Sequence, residues 1–248
     1  MNRIRLIDTI RGITIISMIL YHACWDAVYF GLGIPAGFLE SAGAYIWQQS
    51  ICWSFIFISG FCFCYGKRPV KRGLAALGGG ILITLVTMVV VPDAIDVFGV
   101  LYLIGSSILI MTVIDRIAGK KKKLYPAGLV VSIIFFAVLR NLNRGTFGFE
   151  GLSFGQVPVF LYKGYFMTYL GFKDPAFYSS DYFSLIPWFF LFSTGYFSNK
   201  LLDGREKTLK SFGLGLKIFE FPGRHSLIIY MLHQIVLFVI FYLIASFF

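Results

Sequence analysis

Seven apolar segments run along this chain, and each approaches the length that a helix needs to cross a bilayer, about 20 residues. They occupy residues 10–29, 44–65, 74–91, 98–114, 124–140, 184–198 and 225–247. Charged residues gather in the connections between them. The pattern predicts an all-α fold, a polytopic membrane helical bundle of about seven transmembrane helices, which forms a single domain over residues 1–248.

Composition supports a membrane protein and argues against two other classes. The hydrophobic content of 58% and the mean hydropathy of +0.79 exceed those of an ordinary soluble domain. The net charge of +10 does not predict nucleic-acid binding, because the basic residues lie between apolar segments rather than along one face. The four cysteines lack the paired spacing of a zinc site. We therefore predict no bound metal and no nucleic-acid partner.

The basic residues predict the orientation in the membrane. If the seven segments alternate in direction, all but four of the 22 Lys and Arg residues fall on one side. Lysine and arginine are enriched in cytoplasmic connections. We therefore predict a cytoplasmic N-terminus and a C-terminus outside. The four exceptions are Arg140, Arg144, Lys163 and Lys173.

The outer connection at 150–180 is apolar, but Pro158, Lys163 and Gly164 interrupt it. Irregular backbone at membrane depth is tolerated only where protein or water covers it. This stretch therefore suits a re-entrant or interfacial segment better than a complete span.

The first segment carries four ionisable residues, Asp8, Arg11, His22 and Asp26. At 100° per residue all four fall on one face of a helix, and His22 lies about 16 Å beyond Arg11 along that face. Ionisable groups at membrane depth are costly and usually functional. The segment therefore predicts a site, with Asp8 and Arg11 paired at its inner end and the His22 imidazole deep inside.

Three other places offer candidate groups. The last segment begins FPGRHSLIIYMLHQI and carries Arg224 at the interface and His233 further in. Asp181 stands at the outer entrance of the sixth segment, where it could meet a polar substrate. For either histidine the alternative is a hydrogen bond between helices. The inner connection after the second segment carries basic residues that could bind phosphates or, alternatively, only anionic lipid: Lys67, Arg68, Lys71 and Arg72.

Five stretches carry a resemblance to a known family. In order they are RIRLIDTIRGITIISMILYHACWD, FIFISGFCFCYGKRPVKRG, DVFGVLYLIGSS, LGFKDPAFYSSDYFSLIPWF and PGRHSLIIYMLHQ. Together they resemble the bacterial membrane proteins grouped with the catalytic domain of heparan-alpha-glucosaminide N-acetyltransferase, over essentially the whole chain. In the broader superfamily an arginine early in the first helix and a histidine in its outer half are important, and Arg11 and His22 match that pattern.

The resemblance implies a transmembrane acyltransferase of the bacterial inner membrane, with acetyl-CoA as cytoplasmic donor and a glycan or small-molecule amine or hydroxyl as outer acceptor. Arg11, with Lys67, Arg68, Arg72 and Arg224, is then expected to hold the phosphates of the donor. His22 takes the acceptor's proton or carries the acyl group itself.

Three further residues complete the expected catalytic set. Asp26 or Asp181 orients the reacting groups, and His233 lines the site. A proton-coupled transporter of a small polar or anionic solute is the alternative function, which the absence of paired half-repeats disfavours. Association of identical chains stays open.

Overall fold

The computed structural model describes residues 5–118, 120–202 and 216–247. In this part of the chain six helices are long and apolar enough to cross a membrane. They correspond to six of the seven predicted segments, which confirms the all-α membrane fold. The remaining segment, predicted at 184–198, forms a helix of 17 residues, close to 25 Å at about 1.5 Å per residue.

The helices are numbered in chain order. They are α1 (Arg5–Tyr29), α2 (Ala42–Phe61), α3 (Pro69–Val90), α4 (Val100–Ala118), α5 (Tyr125–Leu139), α6 (Tyr165–Leu170), α7 (Leu185–Leu201), α8 (Lys217–Arg224) and α9 (Ser226–Ala245).

The described residues form two compact units. The terminal unit comprises residues 5–55 and 216–247, and the central unit comprises residues 56–202. Helix α2 begins in the terminal unit and ends in the central unit. The prediction of a single domain over the whole chain stays a prediction.

In the terminal unit α1 packs against both α8 and α9. The approach to α8 depends on two glycines, since a Cβ on Gly12 would lie 1.8 Å from the carbonyl oxygen of Phe219. A Cβ on Gly223 would likewise lie 1.9 Å from the carbonyl oxygen of Asp8. Helix α2 is joined to α1 through Trp47, whose indole N–H donates to Ser17 Oγ at 2.7 Å. Small residues thus allow two backbones to meet, as in other membrane helix pairs.

In the central unit α3 packs against α4, and α5 packs against α7. Glycines again lie at both contacts. A Cβ on Gly80 would lie 2.8 Å from the ring of Tyr102, and a Cβ on Gly128 would lie 2.5 Å from the ring of Phe197. The exposed side chains of α3 and α5 are largely aliphatic, as expected for surfaces that face lipid.

An antiparallel hairpin that the sequence did not predict begins just before the stretch at 150–180 and extends into it. Strand β1 (Thr146–Phe149) pairs with β2 (Leu152–Gln156), with Phe149 opposite Leu152. The Asn141 amide donates to the carbonyl oxygens of Glu150 and Leu152, both at 2.9 Å, and so holds the hairpin against the end of α5. The helix that follows, α6, has six residues and is too short to span a bilayer.

Candidate functional site

The first group of candidate residues lies where α1 begins and α8 ends. Glu220 accepts a hydrogen bond at 2.7 Å from Arg5 and another at 2.7 Å from Arg224. Asp8 has Arg224 at 3.8 Å on one oxygen and Arg11 at 3.9 Å on the other. We call these five residues the charge cluster. The predicted pair of Asp8 and Arg11 is confirmed, but it is one part of a network that joins two helices.

The charge cluster holds three arginines against two carboxylates, so a net positive charge remains. The side chains of Arg5 and Arg224 are 53% and 41% exposed and line an open pocket together with Lys217 and Phe221. Arg11 is more enclosed and donates to the carbonyl oxygen of Gly223 at 3.2 Å. A partly exposed set of guanidiniums can bind phosphate oxygens.

Glu220 stays ionised in this setting. The hydrogen bond from Arg5, and after it the charges of Arg5 and Arg224, lower the pKa of Glu220 below its ordinary value. The carboxylate therefore holds the two arginines in place at neutral pH rather than releasing them.

The second group lies further along α1, where this helix packs against α9. The rings of His22 on α1 and His233 on α9 have centroids 4.9 Å apart, with their planes at 65°. One turn beyond His22, Asp26 is fully buried and accepts a hydrogen bond on Oδ1 from Gln234 Nε2 at 3.0 Å. We call His22, Asp26, His233 and Gln234 the imidazole–carboxylate cluster.

The hydrogen bonds of His233 define which of its ring nitrogens can take a proton. Nδ1 lies 2.6 Å from the carbonyl oxygen of Tyr230. Because a carbonyl oxygen only accepts, Nδ1 carries the hydrogen and Nε2 of the neutral ring keeps its lone pair. Nε2 is buried and has no hydrogen-bond partner among the described residues. The ring is therefore arranged as a proton acceptor, the property that a general base requires.

The prediction that Asp8, Arg11, His22 and Asp26 share one face of α1 is confirmed. Asp8 and Arg11 contact α8, while His22 and Asp26 contact α9. The structure thus brings together five predicted site residues in the terminal unit, two in the charge cluster and three in the imidazole–carboxylate cluster. They are Arg11, Arg224, His22, Asp26 and His233.

Four predicted residues belong to the central unit. Lys67 and Arg68 are exposed at the start of α3, and the guanidinium of Arg72 packs against Gly66. Asp181 lies in the connection before α7, and its charge acts on Asp96. Their assignment as phosphate-binding and catalytic residues stays a prediction from the sequence.

Asp96 is a buried carboxyl group that sequence reasoning did not single out. Its backbone N–H donates to Thr87 Oγ1 at 3.0 Å, and the residue as a whole is 9% exposed. Burial, and next the nearby Asp181, raise the pKa of Asp96 to about 8. Asp96 is therefore largely protonated at neutral pH, unlike an ordinary surface aspartate.

Glu220 and Gln234 were also missed as members of the two clusters. The spacing of Glu220 and Arg224, four residues apart, could have indicated an ion pair on a helix. No local pattern could have indicated the bond between Gln234 and Asp26, because the two residues lie near opposite ends of the chain.

Comparison with known protein families gives a match over most of the chain. A family described as heparan-alpha-glucosaminide N-acetyltransferase, catalytic, matches residues 3–235. The matched range contains both clusters and runs through both units. No curated protein and no solved structure matches the chain.

The family match confirms the resemblance carried by the five sequence stretches, and it covers the chain except for its first two and last 13 residues. The apolar helices agree with it, since they are those of an integral membrane protein. The chain therefore belongs to the heparan-alpha-glucosaminide N-acetyltransferase catalytic family, a family of transmembrane acetyltransferases.

Proposed function

We propose that this chain transfers an acetyl group from cytoplasmic acetyl-CoA to an amine or hydroxyl of a glycan or small molecule on the outer side of the bacterial inner membrane. Membership of the family supports acetyl-CoA as the donor. The observation that carries the proposal is that α1 supplies arginines to the charge cluster at one end and His22 to a pair of imidazoles further along.

The charge cluster is proposed to bind the phosphates of the donor. Arg5 and Arg224 are partly exposed at the open pocket, and Glu220 fixes both guanidiniums at 2.7 Å. Guanidiniums that are already held in place lose less conformational entropy when they bind a phosphate. Their planar arrangement of N–H groups can donate two parallel hydrogen bonds to its oxygens. Arg11 is the least exposed of the three arginines, at 23%, and it lies closer along α1 to His22 than Arg5 does.

The distance along α1 suits an extended donor. Eleven residues separate Arg11 from His22, which corresponds to about 16 Å at the helical rise. A donor held by its phosphates at the charge cluster can therefore extend its thioester toward the imidazole–carboxylate cluster. The thioester is then consumed at depth, away from the cytoplasmic water that would hydrolyse it.

The imidazole–carboxylate cluster is proposed to activate the acceptor. His22 or His233 takes the proton from the acceptor's hydroxyl or amine as its oxygen or nitrogen attacks the thioester carbonyl carbon. The carbon–sulfur bond breaks, and the protonated imidazole supplies the hydrogen for the thiol that leaves. Asp26 stabilises the imidazolium or orients the acceptor, as carboxylates beside catalytic histidines do.

The relative direction of two helices supports the proposed number of crossings. Residues of α1 meet residues of α9 in the same order, with His22 at His233, Asp26 at Gln234 and Phe30 at Phe238. The two helices are therefore parallel, so the chain between them must cross the membrane an odd number of times. Helices α2 to α5 give four crossings, and α7 is proposed as the fifth. Seven crossings with a cytoplasmic N-terminus agree with the distribution of basic residues.

A label-transfer experiment tests the proposed function. The protein is reconstituted in liposomes and supplied with acetyl-labelled CoA and a panel of amine and hydroxyl sugars. We expect label in the sugar together with an equal amount of free CoA thiol. A proton-coupled transporter would move solute across the bilayer without releasing thiol. Absence of both label transfer and thiol release with every acceptor would contradict the proposal.

A further inference from the structure

We propose that Gln234 is a positioning residue that fixes the carboxylate of Asp26 for the acyl transfer, an inference that rests on the function proposed above. The Gln234 amide donates to Asp26 Oδ1 at 3.0 Å, and Asp26 is fully buried. The direction of this bond is certain chemically, because a carboxylate accepts and only the amide nitrogen of glutamine donates.

The bond leaves a defined set of acceptors unused. Asp26 Oδ2 and Gln234 Oε1 are buried and have no hydrogen-bond partner among the described residues. A buried oxygen without a hydrogen bond destabilises the folded protein. A ligand that donates an N–H or O–H to this oxygen removes the penalty. The bond to Gln234 thus uses one oxygen of Asp26 and keeps the other for the acceptor or for a protonated imidazole.

Its place in the fold explains why such a bond would matter. Asp26 follows His22 by one turn on α1, and Gln234 follows His233 directly on α9. The bond therefore joins the two helices beside the imidazole pair. Without it the Asp26 side chain can rotate about two bonds, and displacement of a catalytic group by about 1 Å can lower a rate about 100-fold. Gln234 itself has no group that exchanges a proton at neutral pH.

Gln234→Met tests the proposal, because methionine keeps the length of the side chain and removes the donor. We expect kcat to fall by about 10-fold to 100-fold while KM for acetyl-CoA stays the same, because the charge cluster is untouched. Gln49→Met is the matched control. Gln49 lies on α2 in the same unit and accepts a hydrogen bond from Trp53 of its own helix. We expect this control to keep the activity of the unsubstituted protein.

A double-mutant cycle separates positioning from a purely structural role. If Gln234 acts through Asp26, then Gln234→Met should cost less than about 2-fold in kcat when Asp26 is already asparagine. Equal losses of kcat in both backgrounds would overturn the proposal. So would an Asp26→Asn variant that keeps full activity, because Gln234 would then have nothing to position.

Two measures keep the test decisive. The melting temperature in detergent shows whether each variant is folded, and Gln234→Leu replaces the methionine variant if the latter is not. Leucine likewise removes the amide donor, so a positioning role again predicts lower kcat at unchanged KM for acetyl-CoA. Full activity of folded Gln234→Leu would overturn the inference. If the unsubstituted protein releases no thiol, the proposed function fails first and the inference fails with it.

Discussion

His22 and His233 lie with their rings 4.9 Å apart, although one belongs to the first membrane helix and the other to the last. The contact places α1 and α9 side by side at this level and puts two proton-accepting groups within one site. In the proposed reaction, two imidazoles this close can share the work of removing a proton from the acceptor and returning it to the leaving thiol. The relationship also defines the direction of α9, on which the proposed seven crossings depend.

The close approach of α1 and α8 should fail when Gly12 gains a side chain. A Cβ there would lie 1.8 Å from the carbonyl oxygen of Phe219, so the two backbones must separate. We expect Gly12→Ala to lower the free energy of unfolding by about 3 kcal/mol, measured as a fall in the melting temperature of the purified protein.

Gly43→Ala on α2 is the control for that substitution. The nearest atom that its Cβ would meet, Ser41 Oγ, lies 3.9 Å away, so no backbone has to move. An equal melting temperature for Gly12→Ala and Gly43→Ala would contradict the packing of α1 on α8.

Removal of an arginine from the charge cluster should weaken donor binding. We expect Arg11→Ala and Arg224→Ala each to raise KM for acetyl-CoA by about 10-fold or more, since a hydrogen bond to a charged group contributes about 1.5–3 kcal/mol. The steady-state rate is measured over a range of acetyl-CoA concentrations. Added salt should raise KM for the unsubstituted protein more than for either variant, because screening acts on the lost charge.

Arg144→Ala provides the comparison, because Arg144 is an exposed arginine of the central unit near the hairpin. The proposed binding site would be refuted if all three alanine variants changed KM for acetyl-CoA by the same factor.

Asp96 should make stability depend on pH. Its pKa of about 8 in the folded protein exceeds the ordinary 3.8, so the folded state keeps a proton that the unfolded chain releases. The contribution of Asp96 to the free energy of unfolding is therefore fully present below about pH 4, and it is lost as the pH rises through about 8. We expect Asp96→Asn, which stays neutral, to lose less melting temperature than the unsubstituted protein between about pH 6 and pH 9.

The exposed Asp93 in the same connection supplies the control. Asp93→Asn should leave the decline with pH unchanged. If the melting temperature of Asp96→Asn falls with pH as steeply as that of Asp93→Asn, the burial of Asp96 has no part in the pH dependence of stability.

The C-terminus should lie on the outer side of the membrane. Because α1 and α9 are parallel, they end on the same side, opposite the side on which α1 begins. A reporter that is active only outside the inner membrane should work when fused after residue 248 and fail when fused after residue 202. Six crossings without α7 would give the reverse result, activity after residue 202 and none after residue 248, and that result would contradict seven crossings.

Much of the fold follows from local sequence. Apolar length predicted six helices of the membrane part because lipid requires every span to satisfy its own backbone. Helical periodicity placed Asp8, Arg11, His22 and Asp26 on one face of α1, and the contacts with α8 and α9 agree. Such features depend on residues close together in the chain, so a single sequence contains them.

The partners of these residues could not be predicted in the same way. The hydrogen bond between Gln234 and Asp26 and the ion pair between Glu220 and Arg5 join distant parts of the chain. Periodicity gives the face of a helix but does not say which helix covers it. The burial of Asp96 has the same origin, because the connection carrying Ser179 and Ser180 folds over it and is hydrogen-bonded to Val97 and Ile95.

The transfer rate of the two histidine variants tests the central claim most directly. His225 is the matched control, because it is exposed and lies outside both clusters. With acetyl-labelled CoA and a sugar acceptor, we expect His22→Ala and His233→Ala to lose at least about 100-fold in label transfer while His225→Ala keeps its activity. All three variants should show similar amounts of folded protein. Full label transfer by folded His22→Ala and His233→Ala would contradict the account.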